Sequence, residues 1–259
     1  MRLFVVLPVF NEESCLPELL KRLDQVRGET PSMRLIVVDD GSTDASVSIV
    51  RRQPVPADLV MHEYNVGLGE TIQDGLKRAA DRADPSDVIV TMDADNTQPP
   101  EIIPAMIAEL ERGAGVVIAS RYQKGARVQG LNPIRSWLST GARFTFQLCF
   151  RVPNVRDYTS GFRAYRAAVV QNALGAYRGR LVTERGFACM AEILLRLHAM
   201  GVDIREVPMV LRYDMKGGAS KMNVPLTIWK TLRLIQRTRR VLPQNVDRTE
   251  PAEPSRRAH

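Results

Sequence analysis

The sequence predicts an α/β fold built on a mainly parallel sheet with helices on both faces, and three observations carry that prediction. Strand-like and helix-like segments alternate through residues 1–120. The strand-like runs, such as "RLIVVDD" and "DVIVTMD", are almost continuously apolar, as strands buried on both faces must be. Each run then ends in a polar or acidic cluster: "PVFNEE", "DDGST", "EYNVG", "DADN" and "SRY" in turn. Ligands of parallel sheets bind beyond the carboxyl ends of the strands, so these clusters predict a single functional edge.

Taken in order, Arg2 to Pro8 is β-rich and is followed by a helical pattern from about Glu12 to Val26. The apolar part of "MRLFVVLPVFNEE" is too short for a signal peptide and lacks a small-residue cleavage site. Arg34 to Asp40 is a second strand. Ser42 or Thr43 caps the next helix, which runs to about Arg52, with Asp44 well placed for the helix dipole. "DLVMHEY" is a third strand and Gly69 to Arg82 a third helix. The glycines of "NVGLGET" before it either admit a diphosphate to the backbone or make an ordinary tight turn. "DVIVTMD", a helix from Pro99 to Glu111, and "GVVIASR" complete the regular part.

The second half is less regular. Pro133 to Phe150 reads as helix, "GFRAYR" as a strand before a helix to about Gly175, and Glu184 to Met200 as a long amphipathic helix. "DIREVPMVLRY" is a strand and Val224 to Leu242 a last amphipathic helix. The tail "PQNVDRTEPAEPSRRAH", residues 243–259, has many charges and little to bury, which predicts disorder.

Composition narrows the function. With 44% hydrophobic and 25% charged residues the chain is of ordinary globular type, and no apolar stretch reaches the ~20 residues that cross a bilayer. Cys15, Cys149 and Cys189 are far apart and match no zinc or CxxC spacing, so reduced thiols are expected. The three histidines, His62, His198 and His259, offer no evident partner for a cysteine nucleophile. A net charge of +7 calls for an anionic partner. In the last helix Lys230, Arg233, Arg237 and Arg240 share one face, while Ile228, Trp229, Leu232, Ile235 and Leu242 lie mainly on the other, with Arg239 among them. That pattern fits a membrane surface, as does "PIRSWLSTGARFTFQLCFR"; the alternative is that both segments pack on the core with their charges in solvent. No nucleic-acid recognition module is present in the sequence, and nucleic acid is not an expected partner.

The chemistry centres on "VIVTMDADNTQPPE". Asp93 and Asp95 are like charges at a strand end, an arrangement that a divalent cation offsets. Strand alternation points both the same way, and hard oxygen donors suit Mg²⁺ or Mn²⁺. In "VVDDGSTD" the carboxylates of Asp39 and Asp40 can accept hydrogen bonds from a nucleobase or ribose. "LPVFNEES" adds a proline, an aromatic ring and Glu12 at the end of the first strand.

Together these motifs resemble the inverting glycosyltransferases of family 2, over about Leu3 to Leu234. Within that family, "VRDYTSGFRAYR" and "RYDMKGGASKM" resemble the polyprenyl-phosphate sugar synthases typified by dolichyl-phosphate mannosyltransferase. The resemblance implies a GT-A fold, a Rossmann-like arrangement, over residues 1–242, with a nucleotide-sugar half at 1–120 and an acceptor half at 121–242 carrying the interfacial helices. It implies that Pro8, Phe10, Glu12 and Asp40 contact the nucleoside, with Asp39 supporting. Asp93 and Asp95 would hold the donor diphosphate through Mg²⁺ or Mn²⁺. Arg121, Arg135 and Ser139 would grip the acceptor phosphate, and Arg212, Ser220 and Lys221 would close on donor and acceptor. Where many synthases carry a glutamine as a further metal ligand this chain has Thr97, with Gln98 next to it, so the third ligand is Thr97 or Gln98.

The implied reaction moves mannose or glucose from a GDP- or UDP-sugar to a polyprenyl phosphate, at the cytoplasmic face of a membrane and with room for a transmembrane partner protein. Transfer should depend on Asp93, Asp95, Arg121 and Arg135. A phosphate acceptor is already an anionic nucleophile; a sugar-hydroxyl acceptor needs a carboxylate base, for which Glu184 and Glu192 are the candidates. A non-catalytic nucleotide-sugar or membrane-surface module is the competing reading from outside enzymology.

Overall fold

The computed structural model describes residues 1–30, 32–130, 152–186 and 188–215. Its strands are β1 (Leu3–Val9), β2 (Met33–Asp39), β3 (Ala57–Met61), β4 (Val88–Thr91), β5 (Val116–Ser120), β6 (Arg127–Gln129), β7 (Arg163–Arg166), β8 (Ile204–Pro208) and β9 (Val210–Arg212). The α-helices are α1 (Leu16–Glu29), α2 (Ser46–Arg52), α3 (Leu68–Arg82), α4 (Ile103–Glu111), α5 (Ala167–Ala176) and α6 (Ala188–Ala199). Seven strands form one sheet in the order β3-β2-β1-β4-β7-β5-β8, and β6 pairs with β9 beside it.

Two hydrophobic layers explain why the sheet is covered on both sides. Leu3, Val5 and Leu7 of β1 pack with Leu16, Leu19 and Leu23 of α1, whose spacing of three and four residues makes one apolar stripe. The alternate residues Phe4 and Val6 face the other way, onto Ile72, Leu76 and Ala79 of α3. The sheet is parallel except at β7, which runs antiparallel to both β4 and β5. Its reversed direction brings the loop preceding Arg163 to the carboxyl edge of the parallel strands. β7 and β8 both come from the second half of the chain, so the two halves share one sheet.

Three predicted elements differ in detail. The expected strand "DIREVPMVLRY" divides after Pro208, which has no N–H to continue a ladder, and β9 leaves to pair with β6, a strand the sequence reading missed. The helix expected from Pro99 opens with a 3₁₀ turn, Pro100–Ile102. Neither Ser42 nor Thr43 caps α2: the helix starts at Ser46, whose N–H is accepted by Asp44 Oδ1 at 2.9 Å.

Arg135, Ser139, Ser220 and Lys221, the predicted helices Pro133 to Phe150 and Val224 to Leu242, and the predicted tail 243–259 lie outside the described residues. No helix among the described residues is long and apolar enough to cross a membrane. Cys15 and Cys189 are buried and in no disulfide, and burial pushes the Cys189 thiol up to about 12, out of range for a nucleophile.

Candidate active site

The predicted edge exists, and its loops are stitched together by short polar side chains. Asn11, in the left-handed conformation at φ 52°, donates its N–H to Ser42 Oγ and accepts the Thr43 N–H on Oδ1. The Glu12 N–H reaches Ser46 Oγ at 2.9 Å. Ser42 and Ser46 therefore tie the loop after β1 to the loop after β2, and Pro8, Phe10 and Glu12 stand half-buried at this junction.

The two aspartates after β2 have different surroundings. Asp40 accepts the Val66 N–H on Oδ1 and the Gly67 N–H on Oδ2, at 2.9 and 3.0 Å, so its carboxylate holds the loop before α3. His62 adds Nδ1 to Asp40 at 2.9 Å and Nε2 to Asp74 of α3 at 3.2 Å. Burial lowers the His62 pKa, but its two carboxylate partners outweigh that and raise it above 6.5. Asp39 accepts the Ser42 N–H on Oδ2, while its Oδ1 is buried with no hydrogen-bond partner among the described residues. Asp39 therefore keeps one oxygen without a hydrogen-bond partner among the described residues, whereas both oxygens of Asp40 accept backbone N–H groups.

β4 stops at Thr91, two residues before the strand predicted to reach Asp93, because the chain turns out of the sheet there. Strand alternation therefore does not orient Asp93 and Asp95; their loop does. The Gln98 side chain accepts the Asp93 N–H at 2.9 Å and donates Nε2 to Asp93 Oδ2 at 2.6 Å. Thr97 donates its hydroxyl to Asp95 Oδ1 at 2.6 Å and its N–H to the same atom at 3.2 Å. Asn96 between them is left-handed at φ 59° and buried, a conformation asparagine tolerates better than most residues. Thr97 and Gln98 are themselves buried, while Asp93 and Asp95 are half-exposed. Gly161 lies against the pair, and a Cβ there would stand 2.9 Å from Asp93 Oδ1. Hence the two residues proposed for a third ligand are the ones that orient the carboxylates.

Arg121, at the end of β5, lies in a buried ion pair rather than free in the cleft. Its Nε and Nη2 donate to the two oxygens of Asp157 at 2.8 and 2.6 Å, and Nη2 also reaches Thr159 Oγ1. Burial pushes the Asp157 carboxyl up, but Arg121 and backbone N–H groups outweigh it and hold it below its usual range. The Nη1 edge of Arg121 carries no bond among the described residues. Glu206 of β8 supports the same turn by accepting the N–H groups of Arg156 and Asp157, both at 2.7 Å. Arg212 pairs with Asp214 on the surface, and its backbone N–H donates to the Thr97 carbonyl at 2.8 Å.

Other expectations resolve into structure. The glycines of "NVGLGET" serve close packing: the Gly69 N–H donates to the Arg185 carbonyl at 3.0 Å, and a Cβ on Gly69 would overlap the Glu184 carbonyl oxygen. Glu192 is a buried acid pinned by Thr183, the Glu184 N–H and Arg196. Arg163 is fully buried and donates to the carbonyls of Ser160, Met190 and Tyr158, so it braces the 157–161 turn from below. Asp157, Glu206, Gly161 and His62 were not singled out from sequence. Only "VRDYTSGFRAYR" contains the first and third, within the motif that resembles the polyprenyl-phosphate sugar synthases and offers Ser160 and Arg163 to the acceptor pocket.

Among the described residues no three His, Cys, Asp or Glu side chains come together as a metal cage. Two half-exposed carboxylates still fit a hard cation that completes its shell with diphosphate oxygens and water.

The model of "Glycosyl transferase family 2" matches residues 4–174. The dolichol-phosphate mannosyltransferase of Pyrococcus furiosus is 30% identical over 240 residues, 92% of this chain and 63% of that protein, so the chain spans less than two thirds of that relative. The undecaprenyl-phosphate mannosyltransferase of Micrococcus luteus is 30% identical over 226 residues, 86% of this chain and 88% of that protein. Among solved structures, the glucosyl-3-phosphoglycerate synthase of Mycobacterium tuberculosis, in complex with Mn²⁺, UDP and phosphoglyceric acid, aligns with a TM-score of 0.66 at 19% identity. That alignment covers 94% of this chain and 80% of the other, and shows that the fold is shared. A family match over most of the sheet, together with relatives aligned nearly end to end with this chain, means that the chain belongs to glycosyl transferase family 2.

Proposed function

We propose that the protein transfers a sugar, mannose by preference, from a nucleoside diphosphate donor to a polyprenyl phosphate with the help of Mg²⁺ or Mn²⁺. The observation that carries this reading is the acidic loop: Asp93 and Asp95, half-buried at the carboxyl edge of the sheet, are oriented by hydrogen bonds from Gln98 and Thr97. Relatives named for transfer to dolichol and undecaprenyl phosphate support the acceptor class and the sugar. Bound between the two carboxylates and the diphosphate, the cation would stabilise negative charge on the leaving group.

The remaining work falls to side chains. Asp39 Oδ1 accepts an N–H of the nucleobase, and Pro8, Phe10 and Glu12, half-buried at the end of β1, contact the nucleoside. Asp40 and His62 fix the loop that shapes this end of the cleft. Arg121, held by Asp157, presents its Nη1 edge to the acceptor phosphate, and Arg135, Ser139, Ser220 and Lys221 complete that grip. The phosphate needs no general base. Glu192 is committed to Thr183, the Glu184 N–H and Arg196, which removes one of the two candidate bases for a hydroxyl acceptor. The protein docks on the cytoplasmic membrane face through its basic amphipathic segments, alone or with a transmembrane partner.

The test is a panel of labelled GDP- and UDP-sugars incubated with Mg²⁺ or Mn²⁺ and a dolichyl or undecaprenyl phosphate extract. A labelled lipid that a chelator abolishes is the expected product. Donor hydrolysis or binding without lipid product would overturn the acceptor assignment.

A further inference from the structure

The geometry points to Arg22 of α1 as a positioning residue for the acidic loop, acting through Asn96 and touching neither carboxylate in any contact seen among the described residues. Its guanidinium forks three ways. Nε and Nη2 each donate at 2.7 Å to one oxygen of Glu101, and Nη1 donates at 2.7 Å to Asn96 Oδ1. The Arg22 side chain is 13% exposed, so this bond is largely shielded from water.

Asn96 is the residue between Asp95 and the Thr97 that bonds it, and it is the one left-handed residue of that turn. Holding its side chain fixes the backbone from which Asp95 and Thr97 both project. The Thr97 carbonyl is held from the opposite side by the Arg212 N–H. The turn is therefore clamped by α1 on one side and β9 on the other, while Gln98 and Thr97 set the carboxylates within it. Lysine at position 22 keeps the charge but cannot make the planar fork.

This inference rests on the reading of Asp93 and Asp95 as cation ligands, and the experiment separates the two. Mn²⁺ affinity is measured by electron paramagnetic resonance of free Mn²⁺ with UDP, and again with GDP, for the full chain and for R22K, N96G, R22K/N96G, E101Q and D95N, each checked for cooperative thermal unfolding. Glycine at 96 keeps the left-handed backbone and removes only the side chain that Arg22 grips. R22K and N96G should each weaken Mn²⁺ binding about tenfold, within the ~10–100-fold range for outer-shell partners of a metal site. The double variant should be no weaker than either single one, and E101Q should stay within about twofold of wild type because the bond to Asn96 remains. A purely structural staple would lower the unfolding temperature and leave Mn²⁺ affinity unchanged. If D95N abolishes binding while R22K and N96G bind like wild type, or if their effects add, the part given to Arg22 is wrong. If wild type binds no Mn²⁺, or D95N binds as wild type does, the cation reading itself fails and this inference with it.

Discussion

Gly69 shows how a residue can be conspicuous in sequence for one reason and present in the fold for another. Its backbone meets the Glu184 carbonyl so closely that a methyl group cannot fit without moving backbone. Gly69→Ala should therefore destabilise the protein by about 3 kcal/mol or more, at the upper end of overpacking effects, as read from urea unfolding. A loss under ~0.5 kcal/mol would show that the 183–186 segment is free to move away. Gly161→Ala tests the other tight approach. Its Cβ meets Asp93 Oδ1, a side-chain atom that can shift, so Mn²⁺ affinity should fall about tenfold while stability changes little. The acidic residues themselves were legible in the sequence, because two aspartates at the end of an apolar run have few structural uses. The different surroundings of Asp39 and Asp40 were not, because adjacent carboxylates differ only in what the distant Val66 and Gly67 N–H groups reach.

At the scale of elements, periodicity located every parallel strand of the seven-stranded sheet and the helices around them, since an apolar run buried on both faces leaves little freedom. It missed β6, three exposed residues whose ladder partner is β9, and it gave no direction for β7. Direction depends on where the preceding turn docks, and that turn is held by Arg163 at the start of β7 itself and by Glu206 from the distant β8. Arg163→Leu leaves the carbonyls of Tyr158, Ser160 and Met190 without this donor in a buried site, at about 1–3 kcal/mol for each. A net loss of ~3 kcal/mol in urea unfolding is expected. Unchanged stability would mean that the 157–161 turn has other supports.

The whole molecule is one sheet assembled from both halves of the chain, so its stability should report on charged groups at the shared edge. His62 has a raised pKa, so its contribution is fully present below the ordinary histidine value of 6.5 and is lost as pH rises through the raised one. Asp157 behaves in the opposite sense: its carboxyl is depressed, so its contribution holds above the ordinary value of 3.8 and disappears as pH falls below it. Unfolding free energy of the wild type should thus decline relative to His62→Gln as pH rises from 6.5 through the raised value. Parallel curves for the two proteins would remove His62 from the account. The overall architecture and its functional edge were legible from alternation and strand-end chemistry. The sharing of the sheet was not, since the insertion of β7 between β4 and β5 leaves no mark in local pattern.

The central claim is that Asp93 and Asp95 hold a cation for sugar transfer to a lipid phosphate. The most direct measurement is transfer of labelled mannose from GDP-mannose to polyprenyl phosphate by wild type and Asp95→Ala, each with Mn²⁺ and with excess chelator. The account predicts a lipid product from wild type with Mn²⁺ alone, and a loss of at least ~100-fold in the variant. Normal, divalent-dependent transfer by Asp95→Ala would contradict it.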